Sequence, residues 1–289
     1  MASSPRAALT IVGNRPEPWD DFCDFMKSYQ LEVRHEGAPA STDPSHHNRI
    51  LAFRAPIKEK INKMKDADSF DSFLCEGLFA RDSWDLLAQL LKDIAEQDFK
   101  SLGELLQNPT HTESVQVKSA KERHDLKDKM VDYLKTQKVR TTITDRCYQV
   151  AEEMLMNAIY DAPSDKSGKS LYNHLSRKED VHLTPEQYST FEYGTKNQIV
   201  AIAVSDPFGG LTRDMLIDYL EANYRGKPDH LNAQTGKGGA GRGLHQIVEN
   251  SDLTVFQVKK GEKTRVVSYF WQRHNPFGEN PQLSFIYFD

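Results

Sequence analysis

The sequence predicts a mixed α/β protein in two parts, and three observations carry that prediction. Strand-like and helix-like segments alternate through the first hundred residues. The run Ile199-Val200-Ala201-Ile202-Ala203-Val204 is unbroken in its apolar and β-branched character, which reads as a buried central strand. A helix-rich stretch precedes that run, and a strand pair joined by a Gly-containing turn comes after it at residues 253–271. At 289 residues two domains are expected, each able to bury its own core. The division is placed at 1–110 and 111–289.

In the N-terminal part, residues 9–13 (LTIVG) read as a strand, 19–29 as a helix, 31–35 as a strand and 38–47 (APASTDPSHH) as a loop. Residues 50–54 and 72–75 read as further strands. Residues 84–93 read as a helix with Leu86, Leu87, Leu90 and Leu91 on its apolar side. This alternation suggests a flavodoxin-like three-layer domain of the receiver kind. A working receiver needs carboxylates after its first and third strands to hold Mg2+. Here those places carry Gly13-Asn14-Arg15-Pro16 and Arg54-Ala55-Pro56. The reading is therefore a degenerate receiver-like or other partner-binding domain. A helix at 99–106 and the segment 108–119 (NPTHTESVQVKS) link it to the C-terminal part.

The C-terminal part carries the chemistry. Residues 121–136 form an amphipathic helix whose stripe is Leu126, Met130 and Leu134, with His124 off the stripe and facing solvent. Downstream, Glu153 and Asn157 are four apart, so a helix presents both to one cleft. The Asn157 amide oxygen suits Mg2+, and the Glu153 carboxylate can orient or deprotonate a nucleophile. Asp206 ends the central strand, where its carboxylate can accept from an exocyclic amine. Gly209 and Gly210 permit a tight turn and close backbone approach. Residues 211–219 have helical spacing, and 221–237 have the polar, Gly-containing composition of a mobile lid. Gly239, Gly241 and Gly243 open a loop whose N–H groups can meet phosphate, backed by the N-terminus of a helix over 244–249. Strands at 253–258 and 264–271 close the chain, joined by the turn 259–263.

Two other nucleotide motifs fail on context. Gly236, Gly238 and Gly241 satisfy G-x-G-x-x-G, but the dinucleotide fingerprint requires a strand directly before it, and residues 225–235 (RGKPDHLNAQT) are polar and turn-rich. Ser167-Gly168-Lys169-Ser170 is like a P-loop ending, yet Pro163 occupies the first Gly position, so it reads as a loop.

Taken in order, Glu153 to Asn157 (EMLMN), Asp206 to Gly210 (DPFGG) and Gly239 to Leu244 (GAGRGL) resemble the N, G1 and G2 boxes of the Bergerat-fold (GHKL) ATPases. The resemblance covers about residues 115–289 and lies nearest the anti-sigma-factor serine kinase and histidine-kinase-like branch of bacterial signalling proteins. It implies an α+β sandwich that binds ATP with Mg2+. On it, Glu153 is the base and Asn157 the Mg2+ ligand. Asp206 reads adenine, with Thr264 beside it, and Lys237 or Arg242 grips phosphate. Asp161, Gly209, Gly210, Gly239, Gly241, Gly243 and Leu244 line the nucleotide. Two departures stand out: Pro207 removes a backbone donor next to Asp206, and Arg242 fills a position that is often small. No phosphoacceptor motif surrounds His124. The implied activity is serine/threonine phosphorylation of a regulatory partner protein of the anti-sigma antagonist, sigma-factor or response-regulator type. A nucleotide-gated binding module without phosphoryl transfer is the alternative, and a homodimer is compatible with either.

Composition narrows the setting. A net charge of −5 and a pI near 6.1, with no basic stripe of interleaved aromatics, exclude general nucleic-acid binding. No signal peptide or long apolar run is present, which points to a cytoplasmic chain without membrane contact. Cys23, Cys75 and Cys147 are scattered without metal-ligand spacing and read as reduced thiols.

Overall fold

The computed structural model describes residues 7–13, 15–36, 49–53, 72–75, 81, 84–96, 99–107, 111–224, 240–273 and 285–288. Its centre is the predicted apolar run, which forms β7 (Ile199–Asp206). β7 pairs antiparallel with β6 (Ser189–Lys196) on one side and β9 (Lys263–Trp271) on the other. β8 (Leu253–Lys259) lies beyond β9, and β5 (Thr112–Val117) forms the edge beyond β6. All four of these pairings are antiparallel. The register sets Asp206 opposite Thr264 at one end of the sheet.

One face of this sheet is covered by three helices, α4 (Glu122–Thr136), α5 (Thr141–Met156) and α7 (Ala240–Asn250). The expected stripe of Leu126, Met130 and Leu134 is buried there, as are Ile143, Cys147, Val150, Ala151 and Met154 of α5 and Leu244, Ile247 and Val248 of α7. They meet Val200, Ile202 and Val204 of β7, the side chains that period-two alternation sends to that face. Arg146 ties α5 to the sheet by donating from Nη2 to Asp252 at 2.7 Å and from Nε to the Asn250 carbonyl at 2.8 Å.

The first four strands and the helices read at 19–29 and 84–93 form, while the loop expected over 38–47 lies outside the described residues. β1 (Ala7–Gly13), β2 (Leu31–Glu36), β3 (Arg49–Phe53) and β4 (Ser72–Cys75) pair in parallel in the order β2-β1-β3-β4. α1 (Trp19–Ser28) packs on β2. A short strand that the sequence did not suggest, β10 (Phe285–Phe288), pairs antiparallel with β4 and parallel with β8. It joins both halves into one ten-stranded mixed α/β sheet.

The helix α2 (Trp84–Glu96) explains why the second face is not bare. Trp84, Leu86, Leu87, Ala88, Leu90 and Leu91 are all buried. They pack between Ile11, Phe22 and Met26 on one side and Ala201, Ala203, Leu253, Val255, Val267 and Tyr269 of the C-terminal sheet on the other. A helix apolar around most of its circumference is one enclosed between two layers. Beside this packing runs a buried polar seam. Lys100 Nζ lies 3.3 Å from Asp93 Oδ1, an ion pair rather than an aligned hydrogen bond. Gln257 reaches the other Asp93 oxygen at 3.4 Å, and Arg265 Nη2 lies 3.3 Å from Glu192 Oε2. Glu192 also accepts the Leu102 N–H at 2.9 Å, at the head of α3 (Leu102–Leu105).

Several predicted boundaries move. The linker reading of 108–119 gives way over Thr112–Val117, which supplies the edge strand β5; the pattern Thr-Glu-Ser-Val-Gln-Val fits a half-exposed strand. The helix expected over 99–106 contracts to α3, because Ser101 caps it in a box with Glu104. The helix after β7 runs over Arg213–Tyr224 as α6, so the lid segment expected from 221 begins inside a helical turn; residues 225–239 lie outside the described residues. Among the described residues no helix is long and apolar enough to cross a membrane. Cys23 and Cys147 are free thiols.

Candidate active site

Two of the sequence boxes meet where the end of α5 faces the start of α7, and the third stands at the β7 terminus. Glu153 lies in the last turn of α5, which runs on into a π-helical turn over Asn157–Asp161. Across from them stands Gly243 of α7. A Cβ built on Gly243 would lie 2.7 Å from Glu153 Oε2 and 3.3 Å from Asn157 Oδ1. The absence of a side chain there is what lets α7 approach both groups. Leu244, 7% exposed, anchors the next position in the core. Among the described residues neither the Glu153 nor the Asn157 side chain has a hydrogen-bond partner, so both are available to a ligand.

The structure corrects one detail of this box. Gly241, Arg242 and Gly243 are not a loop ahead of a helix beginning at 244; they form the first turn of α7, which starts at Ala240. The sequence suggested a loop because glycines disfavour helix interiors. In a first turn, however, the backbone N–H groups have no intrahelical partner and point outward, so the turn itself supplies the donors expected of the loop. Lys237 and Gly239 lie outside the described residues.

Asp206 is buried at 9% exposure where β7 ends. The Phe208 N–H donates to its Oδ1 at 3.0 Å, and the nearby Gly209 N–H and the backbone and hydroxyl of Thr264 act to hold its pKa down. Burial nonetheless dominates and pushes its pKa up to about 7 from an ordinary 3.8, because no cation compensates the lost hydration. Thr264 therefore does sit by the acid, as the register requires. Gly209 adopts φ +60°, and a Cβ on it would lie 2.1 Å from the Lys259 carbonyl oxygen, so the turn after Asp206 packs directly on the β8–β9 turn. Its carbonyl accepts the Gly261 N–H at 3.2 Å. Beside Gly210 no atom lies within 4 Å of a Cβ position, leaving open space next to the acid's turn.

Burial also raises the Glu153 pKa, with the neighbouring Glu152 charge adding to the effect. Glu152 itself is held by Arg123 and by Lys127, whose ammonium also lies 4.0 Å from the Tyr148 ring centroid. A carboxylate whose pKa is raised beside a compensated one suits proton transfer. Asp161 projects from the π turn with both oxygens accepting from Arg177 Nη2, at 2.7 and 2.8 Å. Sequence reasoning missed Arg177, which lies in an irregular segment with no motif around it; only the acids nearby gave a signal that a cation was needed.

His124 is exposed, as its place off the stripe implied. The 167–170 stretch is a turn held by its own acid: Asp165 Oδ1 accepts from the Ser167 and Lys169 N–H groups at 2.8 and 3.0 Å, and Gly168 takes φ +81°. No protein-family model matches the chain, and no curated protein matches it.

Proposed function

We propose that this chain is an ATP-binding signalling protein of the Bergerat type, and that it transfers phosphate from ATP to a serine or threonine of a regulatory partner protein. One observation supports this most: Glu153, Asn157 and Gly243, drawn from boxes about ninety residues apart in sequence, come within contact distance of one another. The Asp206–Thr264 pair at the strand end supports an adenine site, since an acid buried among neutral donors has accepting capacity left for an exocyclic amine.

The residues fit Mg-ATP. Asn157 offers an amide oxygen that has no hydrogen-bond partner among the described residues, and the missing Gly243 side chain lets the first turn of α7 come up beside it. Bound Mg2+ would neutralise charge on the phosphates as transfer proceeds. Among the described residues no three His, Cys, Asp or Glu gather to hold a metal alone, so Asn157 would share the ion with phosphate and water. Glu153, its pKa raised by burial, takes the proton from the incoming hydroxyl. Asp206 fixes the base, and the first-turn N–H groups of α7 orient the phosphates. Such a fold could equally hold a degenerate receiver-like unit beside it, the reading that the parallel β2-β1-β3-β4 order supports.

Incubating the protein with γ-labelled ATP and host lysate tests the transfer. A labelled partner protein is expected, with the label stable to acid as a phosphoserine or phosphothreonine is. ATP bound with no labelled protein would favour the nucleotide-gated binding module instead.

A further inference from the structure

The segment between the π turn and β6 folds back onto the π turn. Tyr160 starts this arrangement: its hydroxyl donates to the carbonyls of Arg177 and Glu179, at 3.2 and 2.6 Å. Arg177 then turns inward. Its guanidinium carbon lies 4.8 Å from the Tyr160 ring centroid, and one of its nitrogens, Nη2, is shared between both oxygens of Asp161. The second terminal nitrogen, Nη1, is shielded from solvent and has no hydrogen-bond partner among the described residues.

An orphaned guanidinium N–H pair is costly to bury, because its lost hydration is not replaced. Its surroundings indicate what would replace it. The charges of Arg177 and Asp161 both act on Glu153, and Glu153 Oε2 lies 2.7 Å from the Cβ position of Gly243. Arg177 thus stands on the Glu153 side of the cleft. A planar, permanently charged fork clamped by a carboxylate and stacked on a ring keeps its free nitrogen in one direction, which is the arrangement that recognises a phosphate oxygen.

We propose that Arg177 reads the γ-phosphate: clamped by Asp161 and Tyr160, it donates from Nη1 to a γ-phosphate oxygen and sets the preference of the site for ATP over ADP. This rests on the nucleotide reading above. Asp161 is then a positioning residue, and its carboxylate engages the arginine rather than the nucleotide.

Calorimetric titration of the full chain with Mg-ATP and Mg-ADP tests it, on wild type and on Arg177→Ala and Arg177→Lys. Wild type should prefer ATP. Arg177→Ala should weaken ATP by on the order of 10- to 100-fold, the range for one charged hydrogen bond, with ADP kept within about threefold. Arg177→Lys should fall between, because an ammonium cannot make the same clamp with Asp161; it also gives the answer if the alanine variant does not fold. An unchanged ATP-to-ADP ratio in the variants, or equal losses for both nucleotides, would overturn the assignment and leave Arg177 a structural partner of Asp161. Wild type that binds ATP and ADP equally would overturn it too while leaving the nucleotide site standing. Wild type that binds neither would bring down the nucleotide reading and this assignment together.

Discussion

The two faces of the C-terminal sheet both bury carboxylates, and they treat them in opposite ways. Under α2, Asp93 is enclosed with Lys100 and near Arg265, and Glu192 is held by Arg265 and a backbone N–H. Burial still raises Asp93 to about 6, yet its charge meets charge inside the protein. At the open end of the other face, Asp206 is surrounded by neutral donors only, and Glu153 stands beside another acid. Internal compensation marks a structural acid; an acid left with neutral donors or a like charge marks a site that a ligand completes. Substitutions on the two faces should therefore fail in different ways, one losing stability and the other losing chemistry.

The largest effect is expected at Glu153. Glu153→Ala should keep ATP affinity within a few-fold while phosphate transfer falls by roughly 10²–10⁴, measured with γ-labelled ATP and the partner. Equal residual transfer would remove Glu153 from the role of base. On the opposite face, Arg265→Ala leaves Glu192 buried without its cation, at a cost of about 3–5 kcal/mol in urea unfolding. A loss below about 1 kcal/mol would mean that the seam is wetter than its burial implies.

Asp206→Asn should behave as a mirror image. Losing the charged acceptor weakens adenine nucleotide binding by about 1.5–3 kcal/mol. Unfolding stability at pH 8 should hold or rise, since an uncompensated buried charge is removed. A variant that is both destabilised and still able to bind would contradict the assignment of roles.

The smallest effects are pH dependences, and their signs separate the faces further. Asp206 is raised from 3.8 to about 7, so its contribution to stability is full below about pH 4 and is lost as pH rises through 7. Nucleotide binding to the ionised form should strengthen over the same interval. Asp93 loses its contribution earlier, as pH rises toward and through 6, with no change in binding. Asp93→Asn should flatten the stability profile near pH 6 and leave the binding profile alone.

The same physics decides how much of this is legible in the residues alone. The site's acids were readable because strand ends and helix faces are local: Ile199 to Val204 announced β7, and the four-residue spacing placed Glu153 with Asn157. The α7 start was misjudged because three glycines argue for a loop locally, while contact with Glu153 and the anchoring of Leu244 favour helix. β5, β6 and β10 were missed because short or polar strands are defined by their neighbours in the sheet. Arg177 was invisible for the same reason, since it reaches Asp161 from sixteen residues away through an irregular segment. The seam under α2 depends on pairings such as Leu102 with Glu192, ninety positions apart, which no local pattern records.

The most direct test is calorimetric titration at pH 8, where Asp206 is ionised, of wild type and Asp206→Asn with Mg-ATP, Mg-ADP and NAD. Saturable binding of the adenosine phosphates to wild type, weakened roughly 10- to 100-fold in Asp206→Asn and without NAD binding, is the expected result. Tight NAD binding with no ATP or ADP binding would contradict it.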